Sequence, residues 1–445
     1  MSIPTQVPLT LVTQATSSSN PARLNFAWNN INIRLKNKKR KDSPTYLIQN
    51  QSGNVRSGEC LAILGSSGAG KTTLLNFLSR RIETKSLVSS GAITLNSNEL
   101  SNDDFAKLSA YVMQDDILEA VMTPSEILLF TAKLKLGLSD EECESKVSQL
   151  ISDLHLDKCS NTRIGNNLKR GVSGGERKRT SIAVELISDP KIVFLDEPTT
   201  GLDSFNAYEL IKLLHTLAIE QHKVIIFTIH QPCSEIFNLL DKLLILALGK
   251  TVFFGKKEDA FDCFSKMNHP IPQRYNPFDF FVEVTNAVAI DKPLILKRYP
   301  ELKAIDNKEM RFKTYIDTLA KIYNDNKESY CDKEALSCKD IPSDVKLSFR
   351  KKKFATSCCK QYRLLFLRKT LVNRRDITVI VLKICQGLIC GLFVCALYFN
   401  ISRNSTGIMD RQGMICVGCI LAALTNMLCN LLSCKNIYIC VYYLL

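Results

Sequence analysis

The sequence is short of acid, of histidine and of tryptophan. Against 58 Lys and Arg stand 44 Asp and Glu, a formal charge of +14 over 445 residues, with five histidines and one tryptophan. Cys416 and Cys419 have C-x-x-C spacing, but they lie in an apolar run with no histidine or second pair beside them, which makes them small buried residues rather than metal ligands. The seventeen cysteines are scattered, which argues against a secreted disulfide scaffold and for a reducing cytosol. Met1–Arg23 is rich in Ser, Thr and Pro and lacks an apolar core, so it is expected to be a disordered lead and no signal peptide. The acid deficit could mean nucleic acid or a membrane surface, and position decides. Arg34–Lys41 reads as a solvated loop between strands. Arg350–Lys353 lies shortly before a long apolar segment, where anionic membrane lipid is the natural partner and nucleic acid is not.

What is present is organised around one glycine-rich stretch, Gly65-Ser66-Ser67-Gly68-Ala69-Gly70-Lys71-Thr72-Thr73, which fits G-x-x-x-x-G-K-[ST]. Apolar Cys60–Leu64 precedes it as a strand, and Leu74–Arg81 follows at helical spacing. Strand, loop and helix in that order let backbone N–H groups and a helix N-terminus face phosphate oxygens. Lys71 then suits the outer phosphates and the Thr72 hydroxyl suits Mg²⁺. A glycine turn that merely joins strand to helix is the bland alternative, and the flanking pattern disfavours it. No second such loop occurs, so the chain carries one nucleotide module.

Further along, Thr123 to about Leu156 turns helical, an insertion between the phosphate loop and the next buried strand. Ser173, Gly174 and Gly175 open another helix with Glu176 in its first turn, a second anion site at a helix N-terminus. Lys191–Pro198 is an apolar strand that ends in adjacent carboxylates. Asp196 suits a Mg²⁺-organising position and Glu197 suits polarisation of an attacking water. Lys223–Pro232 is another buried strand and delivers His230 at its end, where the ligand edge of such a sheet lies. The other histidines, His269 among them, read as satisfied polar residues.

In this order and spacing, GSSGAGKTT, Gln114, VSGGERKR, FLDEP, GLDS and IHQP resemble the ATP-binding-cassette ATPases. Within them, Tyr111–Asp116, Gly171–Arg179, Asp196–Ser204, Ile229–Pro232 and Asn276–Phe280 are similar to the G subfamily of half-transporters. The resemblance implies an α/β P-loop cassette with a helical insertion over residues 24–283, followed by C-terminal transmembrane helices. It implies ATP held by the loop and Lys71, and Mg²⁺ held by Thr72 and Asp196. Gln114 would contact the metal or the attacking water, Glu197 would be the general base, and His230 the γ-phosphate switch. Ser173, Gly174 and Gly175 would cap the ATP of a partner subunit, with Asp203 at that dimer seam. One module per chain then implies a homo- or heterodimer with another G-type half-transporter. Where the family often carries an aromatic that stacks on adenine, Ile33 stands here, with Trp28 and Tyr46 as candidate substitutes.

Residues 284–354 read as a polar linker with some helix, and 355–376 as an interfacial amphipathic helix. Two candidate spans follow, about 377–399 and 414–432, and the cations before the first place that side, and the cassette, in the cytosol. The subfamily resembles a six-helix membrane unit, of which these spans are about a third. The expected function is ATP-driven export of a lipophilic small molecule across a membrane. The alternative is a shortened, non-transporting ATP-binding subunit that modulates a full-length partner.

Overall fold

The computed structural model describes residues 24–36, 46–82, 86–166, 170–230, 232–287, 290, 293–330, 355–399, 411–421 and 423–424. The expected disordered lead, the basic run 350–353, most of the loop between the spans and about half of the second span lie outside the described residues.

The strands are β1 (Asn25–Leu35), β2 (Tyr46–Arg56), β3 (Cys60–Gly65), β4 (Leu87–Leu95), β5 (Asn98–Glu99), β6 (Ser109–Val112), β7 (Ile192–Leu195), β8 (Val224–Thr228), β9 (Lys242–Ala247) and β10 (Lys250–Lys256). They form an antiparallel sheet in the order β2-β1-β4-β5 and a second sheet in the order β10-β9-β3-β8-β7-β6. In the second sheet β9, β3, β8, β7 and β6 pair in parallel, and β10 closes one edge antiparallel. Every residue of β3, β7, β8 and β9 is buried. That is why these strands read as unbroken apolar runs: a parallel sheet has both faces covered. β1 alternates instead, burying Phe26 and Trp28 and then, after a register shift at Asn29–Asn30, Ile31 and Ile33. Asn30 takes a left-handed φ of 49° there, as a bulge requires. Rings join the two sheets, with Phe26 packing on Phe194 and Trp28 on Phe254, both at 5.8 Å between centroids. Gly53 makes room for this, since a Cβ there would lie 2.5 Å from the Trp28 ring.

The helices are α1 (Lys71–Leu78), α2 (Asn102–Leu108), α3 (Pro124–Lys135), α4 (Asp140–Asp153), α5 (Gly174–Leu186), α6 (Ser204–Glu220), α7 (Ser234–Phe237), α8 (Lys257–Lys266), α9 (Pro277–Val284), α10 (Pro293–Arg298), α11 (Lys308–Tyr330), α12 (Cys358–Arg375) and α13 (Ile377–Leu397). The helical insertion is α3 and α4, each started by a capping box, Thr123 with Glu126 and Ser139 with Glu142.

Within the stretch expected to be a polar linker, α11 packs along β10 and buries Tyr315, Ile316, Leu319, Ala320, Tyr323 and Tyr330. The Tyr323 hydroxyl donates to the Phe254 carbonyl at 3.1 Å. His269, just after α8, fastens the start of this helix. Its Nδ1 lies 3.0 Å from Arg298 Nη1 and its Nε2 3.0 Å from the Tyr315 hydroxyl. Arginine only donates, so Nδ1 accepts and Nε2 carries the proton.

α12 docks on the insertion. Arg368 lies over the Phe130 ring at 4.6 Å, and Arg375 donates to both Glu126 oxygens at 2.6 and 2.8 Å. Glu126 also accepts the Thr123 N–H at 3.0 Å, so one carboxylate both caps α3 and anchors α12. Burial would raise its pKa, but the Arg375 and Thr123 hydrogen bonds hold it below the ordinary value. Glu126→Ala is expected to cost about 1–2 kcal/mol, the sum of a lost cap and a half-exposed ion pair, read as a lower urea midpoint.

α13 is 21 residues long, about 31 Å at 1.5 Å per residue. Among the described residues, no helix is long and apolar enough to cross a membrane. The side chains of residues 377–380, 382 and 383 lie outside the description, so the first expected span is only partly covered.

Candidate nucleotide site

The phosphate loop leaves β3 at the centre of the second sheet and enters α1. α2, α3, α4, α5 and α6 each have a side-chain cap, but α1 starts at Gly70 with no side-chain cap and no acid in its first turn. Its first N–H groups are thereby left for a ligand, with the helix dipole behind them. Gly70 has a φ of 101°, and a Cβ there would lie 2.7 Å from Ile48 Cδ1, so the loop passes β2 at a distance only glycine allows. Lys71 is buried, and its Nζ donates to the carbonyls of Gly65 at 2.9 Å and Ser66 at 3.2 Å. Burial pulls the pKa of its ammonium down, while the Glu197 and Asp196 carboxylates push it back up.

Asp196, immediately after β7, is buried and fully partnered. Its Oδ1 accepts from the hydroxyls of Thr228 at 2.7 Å and Thr72 at 3.2 Å, and its Oδ2 from Tyr111 at 3.4 Å. Burial and the Asp196 charge raise the Tyr111 pKa, which keeps that phenol a donor. Glu197 sits at a left-handed φ of 43°, strained for a residue with a side chain, and its N–H donates to Thr228 Oγ1 at 2.8 Å. Its carboxylate accepts from Gln114 Nε2 at 2.9 Å and Thr200 Oγ1 at 3.1 Å. Gln114 is itself held by α5. The buried Lys178 Nζ donates to the Gln114 carbonyl at 2.7 Å and pairs with Asp116 at 2.8 Å.

An open cleft of about 1000 Å³ has Ser67, Gly68, Gly70, Lys71, Thr72 and Thr73 in its walls together with Glu197, Thr200 and His230, while Asp196 and Gln114 do not line it and reach it through their hydrogen bonds to Thr72 and Glu197. Gly65 and Ser66 are not in its walls, and their carbonyls accept from Lys71 Nζ behind them. Ala69 lies buried beneath, where its carbonyl accepts the Gly249 N–H at 3.0 Å. His230 is exposed at the mouth. Among the described residues there is no cluster of three His, Cys, Asp or Glu side chains. The Thr72 hydroxyl beside the Asp196 carboxylate is instead the sparse oxygen set that suits Mg²⁺, an ion that keeps most of its waters.

Ser173, Gly174, Gly175 and Asp203 do not line this cleft. A Cβ on Gly174 would lie 3.7 Å from Leu202 and one on Gly175 3.0 Å from Asn206, the residues that flank Asp203 in sequence. Ser173 caps α5 by accepting the Glu176 N–H, and Asp203 caps α6 by accepting the Asn206 N–H. Phe205 beside them is 71 % exposed. Sequence reasoning passed over Tyr111, Lys178 and Thr228 as site residues. Thr228 carries the clearest signal, a hydroxyl at the end of an otherwise apolar strand.

Residues 48–200 match the family described as ABC transporter, and residues 230–356 match the one described as ABC-2 type transporter. The chain is 35% identical over 403 residues to the broad substrate specificity ATP-binding cassette transporter ABCG2 of Rattus norvegicus, covering 87% of this chain and 60% of that one. It is 34% identical over 369 residues to ABC transporter G family member 20 of Arabidopsis thaliana, covering 82% and 49% respectively. With Protein white of Drosophila melanogaster the identity is 32% over 374 residues, covering 83% and 52%. The chain thus spans about half to three-fifths of the length of these relatives. Its cassette is an ATPase domain, with ATP as nucleotide and Mg²⁺ as its ion. The chain belongs to the ATP-binding-cassette transporters, and its relatives are those of the G subfamily.

Proposed function

We propose that this chain hydrolyses ATP as one half of a two-chain transporter and thereby drives a hydrophobic small molecule across a membrane, with the cassette on the cytosolic side. The observation that carries the reading is the continuous hydrogen-bond chain from Thr72 through Asp196 and Thr228 to Glu197 and Gln114, laid beneath a lysine-bearing glycine loop. Lys71 and the loop N–H groups hold the outer phosphates, and Thr72 and Asp196 hold Mg²⁺. The ion, when bound, neutralises charge on the transferred phosphoryl group. Glu197 Oε2 takes the proton of the attacking water, oriented by Gln114 and Thr200. His230 donates to the phosphate that becomes free.

The second half of the site is supplied by another chain. Ser173, Gly174 and Asp203 lie outside their own cleft, which supports the reading that they close the cleft of a second copy or a related half-transporter. The spans about 377–399 and 414–432 anchor the assembly in lipid, preceded by cationic α12.

The full chain in lipid vesicles is expected to release phosphate only with Mg²⁺ present, and chelation should stop it. With Glu197→Gln and saturating Mg·ATP, sedimentation should show a dimer; a chain that stays monomeric under those conditions sinks the shared-site reading. A chain that supports transport only alongside a complete half-transporter would have the modulating role instead.

A further inference from the structure

Asn276–Phe280 does not line the nucleotide cleft, yet it is tied to the chain just beyond β8, where His230 stands. His230 is exposed in the cleft wall, and among the described residues no hydrogen bond or ion pair holds its ring. Its place is therefore set through the backbone on either side. On the near side the Ile229 N–H donates to the Ile63 carbonyl of β3 at 3.1 Å. On the far side Pro232 is buried, and its carbonyl accepts from Asn276 Nδ2 at 3.1 Å. Asn276 is also the N-cap of α9. Its Oδ1 accepts the Phe278 N–H at 3.2 Å, and Nδ2 donates a second time, to Asp279 Oδ2 at 3.0 Å. α9 makes a firm post for this contact. Phe278 and Phe281 are fully buried, and both rings pack on Phe237 of α7, at 5.4 and 6.4 Å between centroids.

We infer that Asn276 is a positioning residue for hydrolysis: it holds the Pro232 carbonyl, and through that short segment it sets where the His230 imidazole meets the phosphate. The inference rests on the phosphate role proposed for His230 and deepens it. The residue type follows from a double duty. Capping α9 needs only a short acceptor, which Ser, Thr or Asp would supply as well. Holding Pro232 at the same time needs a donor too. The asparagine amide carries one acceptor oxygen and two N–H donors, and all of them are engaged here. Proline has no N–H, so its carbonyl is the backbone group by which Pro232 can be held. A donor that must meet charge as it develops on the phosphate tolerates little displacement, so slack in this segment lowers rate before it lowers binding.

The test measures phosphate release against Mg·ATP concentration for the full chain in lipid vesicles, as wild type, Asn276→Ser, His230→Ala and the double variant, with urea unfolding of each. Serine keeps the cap and is too short to reach Pro232. Asn276→Ser is expected to lower kcat about fivefold, in the range a lost neutral hydrogen bond gives, with KM within about twofold. In the His230→Ala background the same change should lower kcat by no more than about 1.5-fold, because the group it positions is already gone. Its urea midpoint should match the wild type, whereas Asn276→Ala, which also loses the cap, should unfold at lower urea. An unchanged kcat in Asn276→Ser, or an equal loss that persists without the His230 ring, overturns the positioning role and leaves His230 its own. A loss of kcat that comes with a midpoint lowered as far as in Asn276→Ala also overturns it, in favour of a purely structural role. Undiminished turnover in His230→Ala overturns the phosphate role of His230 and this inference with it.

Discussion

Replacing Glu197 by Gln is expected to cut ATP turnover by about 10²–10⁴-fold while leaving ATP affinity within about twofold, the usual signature of a lost positioned base. The amide is nearly isosteric with the carboxylate. Its oxygen can still accept from Gln114 Nε2 and Thr200 Oγ1, which now hold Glu197 Oε2 at 2.9 and 3.1 Å, so the geometry is kept and the proton acceptor is lost. The backbone strain at φ 43° and the N–H bond to Thr228 belong to the main chain and do not change. Phosphate release measured beside nucleotide binding separates the two effects. Undiminished turnover would sink the assignment of Glu197 as base. Turnover and binding lost together would show that its charge works instead by supporting Lys71, whose ammonium it holds up against burial.

The parts of this site that could be read in advance are those whose chemistry dictates residue type at a fixed local spacing. A loop that must turn its N–H groups inward needs glycine, so the Gly65–Thr73 stretch was legible, and so was a buried strand ending in Asp196 and Glu197. Tyr111 and Thr228 were not, because their role comes from sheet register. β7 pairs with β8 so that Leu195 lies beside Phe227, which brings the next residues, Asp196 and Thr228, together; β6 pairs so that Val112 lies beside Leu195. No local pattern encodes that pairing. α11 was hidden for another reason. Composition made the stretch look like a linker, although Tyr315, Ile316, Leu319, Ala320 and Tyr323 form a helical stripe that the intervening Lys, Asp and Asn obscure. Trp28 followed the expected alternation of β1, but the bulge after it could not be seen in a simple period-two pattern.

Acidification from neutral pH to about pH 4 is expected to remove on the order of 3 kcal/mol of stability through His269 alone. Burial, and next the Arg298 charge, lower its pKa from the ordinary 6.5 to about 4 in the folded protein. Above pH 6.5 the imidazole is neutral in both states and the contribution is full. As pH falls below 6.5 the unfolded chain takes the proton first, so stability declines through the window down to about 4 and levels off beneath it. Burial makes the charge costly in the folded state, and a protonated ring could also no longer accept from Arg298 Nη1. His269→Gln provides the control, since an amide can accept from Arg298 and donate to Tyr315 without titrating. The difference in urea-unfolding free energy between pH 7 and pH 5 should be about 2 kcal/mol larger for the wild type than for His269→Gln, and carboxylates that titrate in both cancel. Equal differences would refute the neutral Nε2–H state.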